Sequence, residues 1–491
     1  MSLRPHHGLR ARPGLRLALA TAVTASLTGG LLSASAGAST AAPASAAPAT
    51  AQAAKPAKAA QAAQAAQHTD DFNGDGLRDY ALTEGGGSVT VYYGTAKGPG
   101  SKKHAFDQNS PGIPGVLSKG SEGFGTSITT ADFNNDGYGD LATADSTEKV
   151  GKHAWRGMVV IVWGSKSGLG SRATALPVTA SFEHKRLGHA LAAGDFDGDG
   201  KADLAVTTTS NDRMRPAVHI YRGGFSSVKG TTGKVTEHTP GHQTQLMETG
   251  ALVAGKVTRD KATDLYVLGQ GYANDRVTSG VWFLRGGSTV KSAKPTTYNA
   301  ASANYRGEGV IADFDKDGYG DLAIGDERYN KYAGAVQVLR GGPSGPGSSY
   351  RVTQGTEGVA TAASPGDSFG VTVSAADTDR DGYADLAVGT FETIGKVESA
   401  GGVHLLRGGK KGLTGTGSQW FTRDTPGIPD TVATAPRAFG HGVRLRDTTG
   451  DGHADLVIND WGWESTLLHG TARGVTTGKV TALPFQARLS Q

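Results

Sequence analysis

The sequence predicts an all-β fold: a seven-bladed β-propeller with calcium-binding loops between strands 1 and 2 of most blades. Two patterns carry that prediction. An acidic nonapeptide recurs from Asp71 onward at intervals of 57 to 70 residues, and each copy is flanked by short apolar runs of strand length. Seventy-four glycines in 491 residues supply the turn density that such a fold needs.

The chain opens differently. Its first 67 residues hold no Asp or Glu, and Arg4, Arg10, Arg12 and Arg16 lead into an apolar run from Leu17 to Leu32. That pattern predicts a signal peptide over residues 1–36, with cleavage as late as residue 46, and hence a secreted, extracellular protein with the cell wall as one resting place. The run is short and broken by Gly29 and Gly30, so a membrane anchor is not expected, and no later stretch has the length to span a bilayer. Residues 37–67, almost wholly Ala, Pro, Ser, Thr, Gln and Lys, cannot bury a core and read as a flexible spacer. The propeller is assigned to residues 68–491. With no cysteine, it must hold together through core packing and metal.

In each nonapeptide, oxygen-bearing side chains fall at positions 1, 3, 5 and 9, a Gly at position 6 permits the turn, and position 7 is free to offer its backbone carbonyl. Six copies are complete. Their side-chain ligands are Asp71, Asn73, Asp75 and Asp79; Asp132, Asn134, Asp136 and Asp140; Asp195, Asp197, Asp199 and Asp203; Asp313, Asp315, Asp317 and Asp321; Asp377, Asp379, Asp381 and Asp385; and Asp447, Thr449, Asp451 and Asp455. The carbonyls belong to Leu77, Tyr138, Lys201, Tyr319, Tyr383 and His453. About six Ca²⁺ ions are expected. A decayed copy has Lys256 and Thr258 in place of the first two ligands, keeping only Asp260 and Asp264. No metal is expected there, and the Lys256 ammonium is expected to satisfy the remaining carboxylates.

Each repeat reads as a strand entering the loop, an apolar strand such as Asp140-Leu-Ala-Thr-Ala leaving it, a connection of varying length, and a third strand such as Val218-His-Ile-Tyr221 or Val403-His-Leu-Leu406. A fourth strand is visible at Ala175–Thr179 and Ala482–Phe485, whereas the first repeat lacks a clear leading strand. The dipeptides Phe124-Gly125, Phe369-Gly370 and Phe439-Gly440 precede acidic loops at one offset, with Leu187-Gly188 in the same slot. On these residues the chain, from about residue 68 to its end, resembles the FG-GAP repeats of the integrin α-subunit propeller. That resemblance implies calcium in the loops and a protein-binding role, although Gly389-Thr-Phe and Gly325-Asp-Glu stand where the family has Gly-Ala-Pro.

Catalytic patterns are weak. Gly366-Asp367-Ser368-Phe369-Gly370 satisfies G-x-S-x-G, but the apolar run after it predicts a strand where a nucleophile elbow needs a helix. The 14 histidines show no zinc-ligand spacing. Arg222, Arg285, Arg340 and Arg407 end the third strands of four blades, where Tyr93, Trp163 and His469 stand in the others. Strand direction puts them on the same face as the acidic loops, so pairing with loop carboxylates is expected rather than a ligand-gripping ring. Connections between strands 2 and 3 lie on the opposite face and carry Trp155, Arg156, Arg213, Arg215, Tyr272, Arg276, Arg328, Tyr329, Tyr332, Phe391, Trp461 and Trp463. Aromatic and Arg side chains on variable loops over a rigid scaffold are suited to binding. The sequence therefore predicts a monomeric binding or adhesion module without chemistry of its own, for an extracellular protein or an anionic polymer or glycan, and not for nucleic acid. A carbohydrate-binding or carbohydrate-active propeller, whether lectin, lyase or glycosidase, is the alternative.

Overall fold

A computed structural model describes residues 68–483, apart from 85–86, 117–122, 152–154, 171, 179–185, 209–216, 229, 232, 241–245, 274–275, 300–307, 430–436 and 462–463. The expected leader (1–36) and spacer (37–67) lie outside the described residues.

Seven antiparallel blades follow one another along the chain and form a ring, and a two-stranded ribbon, Phe225–Ser226 with Gly230–Thr231, is inserted in the chain of the third. Blade 1 is Tyr80–Glu84, Ser88–Thr95 and Gly98–Asp107. Blade 2 is Ser127–Ala131, Asp140–Asp145, Met158–Val162 and Ala173–Ala175, and blade 3 is Leu187–Gly194, Asp203–Thr208, Ala217–Tyr221 and Val235–His238. Blade 4 has long strands at Leu246–Gly255, Asp264–Ala273 and Arg276–Arg285, the last pairing with both Lys291–Ser292 and Thr296–Asn299. Blade 5 comprises Gly309–Ala312, Asp321–Asp326, Ala335–Leu339 and Ser349–Val352. Blade 6 comprises Val373–Ala376, Asp385–Thr390, Gly402–Arg407 and Thr414–Phe421, and blade 7 comprises Gly442–Arg446, Asp455–Asn459, Ser465–Thr471 and Gly474–Leu483. Helix among the described residues is confined to one turn, Tyr329–Tyr332.

The strands leaving the acidic loops are buried from end to end in blades 2, 3, 5 and 6, because neighbouring blades cover both their faces. Small and branched residues such as Leu204-Ala205-Val206 meet that demand. The core is correspondingly split into seven clusters, each filling the space between two neighbouring blades. The cluster of Tyr80, Leu82, Val457, Leu467 and Leu483 joins blade 7 to blade 1.

The Phe-Gly dipeptides are joints between blades. Phe124, Phe369 and Phe439 are buried, and the following glycines have φ of 84°, 91° and 95°. Gly440 donates its N–H to Asn459 O in its own blade (2.9 Å), while a Cβ on it would sit 2.4 Å from Gly402 O of blade 6. The residue before the dipeptide is also left-handed in three blades, at Arg186, Ser368 and Ala438. Ser368 therefore shares a repeated turn, and the G-x-S-x-G match runs into the strand Val373–Ala376.

Candidate metal loops and opposite face

The acidic loops connect strands 1 and 2 of blades 2 to 7 and lead into the first described strand of blade 1. Their geometry is set locally, because aspartates at positions 1 and 5 accept the loop's own N–H groups. Asp71 accepts from Gly74, Asp75 and Gly76 (2.7, 3.2 and 2.8 Å), and Asp75 accepts from Leu77 (2.9 Å). The same bonds recur in the Asp195 loop from Gly198, Asp199, Gly200 and Lys201. Position 6 is left-handed in the six complete loops, with φ from 80° at Gly452 to 91° at Gly137.

Position 9 has a second task that the sequence reading missed. Asp140 accepts Phe133 N–H through one oxygen and Gly164 N–H, beyond the third strand, through the other, both at 2.9 Å. Asp79, Asp203 and Asp455 repeat this arrangement, as does Asp264 of the decayed loop. All five are essentially fully buried. Burial above all, reinforced by the charges of Asp136 and Asp132, pushes Asp140 up to about 8. The same causes raise Asp79 to about 7, and Asp203 and Asp321 to about 6.

Crowded, desolvated carboxylates of this kind fit a bound cation. Carboxylate oxygens of Asp195, Asp197 and Asp203 lie within 4.8 Å of one another, as do those of Asp313, Asp315 and Asp317, and of Asp377, Asp379 and Asp381. Oδ1 of Asp315, whose side chain is 7 % exposed, and Oδ1 of Asp377 are buried without a hydrogen-bond partner. An all-oxygen donor set suits a hard ion of calcium's class.

The decayed loop departs from expectation. Lys256 Nζ donates to the Lys261 carbonyl, at position 6, instead of meeting the surviving carboxylates. Asp260 is taken by Arg285 (3.1 Å), and Asp264 is already saturated by Thr258 and Gly286. A further feature not read from the sequence links successive loops. Position-4 cations reach the next loop's carbonyls, with Arg259 donating to Gly318 O (3.3 Å), Lys316 to Asp381 O (2.6 Å) and Arg380 to Gly452 O.

The strand-3 arginines do turn to the loop carboxylates. Arg222 meets Asp197 at 2.5 Å, Arg340 meets Asp315, and Arg407 meets Asp379 at 3.3 Å and Asp385 at 2.8 Å.

On the opposite face, Trp155, Tyr332 and Trp461 are 49 %, 51 % and 52 % exposed. Arg186 covers the Trp155 ring at 4.6 Å, and Arg351 covers Tyr329 at 4.3 Å. Arg156 donates to Val178 O (3.3 Å), and Arg328 lies 3.9 Å from Glu327. Phe391 and Trp461, from blades 6 and 7, come together at 5.6 Å with His441 against both. Trp155 and Tyr332 stand on separate blades, 2 and 5. The backbones of Tyr272 and Arg276 flank the blade 4 hairpin turn. Arg213, Arg215 and Trp463 lie outside the described residues. The innermost strands surround a cavity of about 530 Å³. Among its described lining residues the charged groups are Glu308 and Arg444.

Two family matches fall on these elements. Residues 187–228 and 369–406 match the FG-GAP repeat, and residues 71–143 match the FG-GAP-like repeat. The chain carries FG-GAP repeats. It is 27% identical to integrin alpha-V of Gallus gallus over 232 residues, which are 44% of this chain and 21% of that one. It is 30% identical to phosphatidylinositol-glycan-specific phospholipase D of Rattus norvegicus over 148 residues, 28% of this chain and 17% of that one. The matches thus span about a fifth of those relatives' length. Among solved structures, the Dos1 propeller is matched with 10% identity and a TM-score of 0.37, over 78% of this chain and 92% of that one. No helix among the described residues is long and apolar enough to cross a membrane.

Proposed function

We propose that this propeller is a secreted, calcium-stabilised binding module whose ligand face is the one opposite the acidic loops. The observation that carries the reading is the distribution of exposed aromatic rings. Trp155, Tyr332 and Trp461, the exposed large aromatic residues among those described, all lie on connections between second and third strands. Rigid aromatic rings beside Arg156 and Arg328 suit an extracellular protein or an anionic polymer. Calcium at the loops around Asp71, Asp132, Asp195, Asp313, Asp377 and Asp447 would fix the opposite ends of the blades and hold that face in shape. The integrin relatives favour binding over chemistry, while a phospholipase D is also among the relatives.

Trp155→Ala, Tyr332→Ala and Arg328→Glu should each weaken capture of extracellular polymer or protein by about tenfold without lowering the melting temperature. Chelation should lower both capture and melting temperature, with recovery in millimolar calcium. Full capture by all three variants would sink the face assignment, and an unchanged melting temperature on chelation would sink the calcium. The Phe391, His441 and Trp461 cluster favours glycan stacking as a second reading, and a glycan array with Trp461→Ala as control separates it from protein binding.

A further inference from the structure

Position 3 of the complete loops is neutral in three blades and acidic in three, and the residue ending strand 3 follows it. Asn73, Asn134 and Thr449 occur in blades whose third strand ends in Tyr93, Trp163 and His469. Asp197, Asp315 and Asp379 occur in blades where it ends in Arg222, Arg340 and Arg407. These residues are about 25 positions apart in sequence and meet in space, Arg222 Nη1 lying 2.5 Å from Asp197 Oδ2, Arg340 on Asp315 Oδ2, and Arg407 Nη1 between Asp379 Oδ2 (3.3 Å) and the position-9 Asp385 Oδ2 (2.8 Å). In the decayed loop position 3 is Thr258, and Arg285 turns instead to Asp260.

At Asp197 the guanidinium leaves the turn's position-3 bond in place, whereas Asp315 Oδ1 accepts no hydrogen bond and Asp379 Oδ1 accepts Asp381 N–H at a longer 3.4 Å. Asp197 Oδ1 accepts Asp199 N–H at 3.1 Å, just as Asn73 Oδ1 accepts Asp75 N–H at 2.8 Å and Asn134 Oδ1 accepts Asp136 N–H at 2.9 Å. Four ligand carboxylates less one guanidinium leave a formal charge of −3, the charge of the three-carboxylate loops. Counting ligand carboxylates and strand-3 guanidinium alone, the six complete loops thus share one formal charge, with the exposed Lys201 of the Asp195 loop additionally 3.0 Å from Asp199 Oδ2.

We propose that Arg222, Arg340 and Arg407 are affinity-setting residues of the metal loops, each cancelling the surplus carboxylate at position 3 so that all six loops take calcium in one affinity class. The proposal rests on the calcium reading above. Loop affinity for calcium rises with ligand charge, and a carboxylate left uncompensated a few ångströms from the ion would tighten its site well beyond the others. A purely structural clamp would behave in the opposite way, because removing it would loosen the loop and weaken the site.

Calcium titration calorimetry on the full chain separates these cases. Wild type should take up its ions in a single class. Arg222→Gln should split off one site, tighter by about tenfold, and Asp197→Asn/Arg222→Gln, which recreates the pairing of neutral with neutral, should return it to the common class. Asn134→Asp is a gentle second variant on a loop without an arginine, and it should tighten that site by a similar factor. Unchanged or weaker binding in both Arg222→Gln and Asn134→Asp overturns the charge assignment while leaving calcium binding intact. A wild type that takes up no calcium overturns the metal reading itself.

Discussion

A single residue type explains why the decayed loop kept part of its motif. Asp264 binds Thr258 N–H at 2.7 Å and Thr258 Oγ1 at 2.9 Å through one oxygen, and Gly286 N–H at 2.9 Å through the other, all in a fully buried setting. A position-9 aspartate thus ties its loop to the end of strand 3 whether or not a metal is present. Losing it would strand buried donors, each costing about 1–3 kcal/mol. Asp264→Ala should lower the unfolding free energy by on the order of 3 kcal/mol, equally in calcium and in chelator. Asp203→Ala, in a complete loop, should cost more in calcium than in chelator. Urea unfolding under both conditions checks this, and a loss at Asp264 that appears only with calcium would return position 9 to a purely ligating role.

At the level of the hairpin and its joints, the decisive contacts are steric. Gly440 and Gly366 have nearly the same φ, 95° and 97°, but a Cβ on Gly440 would meet Gly402 O at 2.4 Å, whereas one on Gly366 would meet nothing within 4 Å. Gly366→Ala should cost only the left-handed strain, about 1 kcal/mol, and Gly440→Ala on the order of 3 kcal/mol because two blades must part. Equal thermal shifts for the two would disprove the joint. The difference also marks what could be read from the chain alone. Strand hairpins and the acidic loops between them were legible because their residues alternate within nine positions, and blade 1's weak leading segment was visible as a missing apolar run. The direction of Arg222, Arg340 and Arg407 followed from strand alternation. What Lys256 would grip did not, since Arg285 and Gly286, at the end of strand 3, had already claimed Asp260 and Asp264. Nor did the links from Arg259 and Lys316, whose partners lie a whole blade away.

The whole ring has one seam unlike the rest. Among the described residues each blade is built from consecutive strands, no strand is exchanged between the first and last blades, and blade 1 has three strands where blade 7 has four. Among those residues the seam is held by side chains. Besides the apolar cluster around Tyr80 and Leu467, Asp70 is buried between Arg78 Nη1 (2.9 Å) and Arg446 Nη1 (2.6 Å), Arg446 lies over the Tyr80 ring, and Tyr80 Oη donates to Thr448 O (2.9 Å). One carboxylate thereby holds a blade 1 guanidinium and a blade 7 guanidinium together. Removing it leaves two partly buried cations facing each other, a change that costs on the order of 3 kcal/mol when one member of a buried pair is lost. Asp70→Ala should therefore open the ring at this seam before the blades themselves melt. Hydrogen exchange should accelerate first in Tyr80–Glu84 and Gly442–Arg446, with Gly309–Ala312 and Asp321–Asp326 of blade 5 protected as in wild type. Asp70→Asn, which keeps an acceptor for one guanidinium, should show a smaller effect in the same places. Uniform acceleration in all blades would mean that the propeller unfolds as one unit and that Asp70 is not its latch.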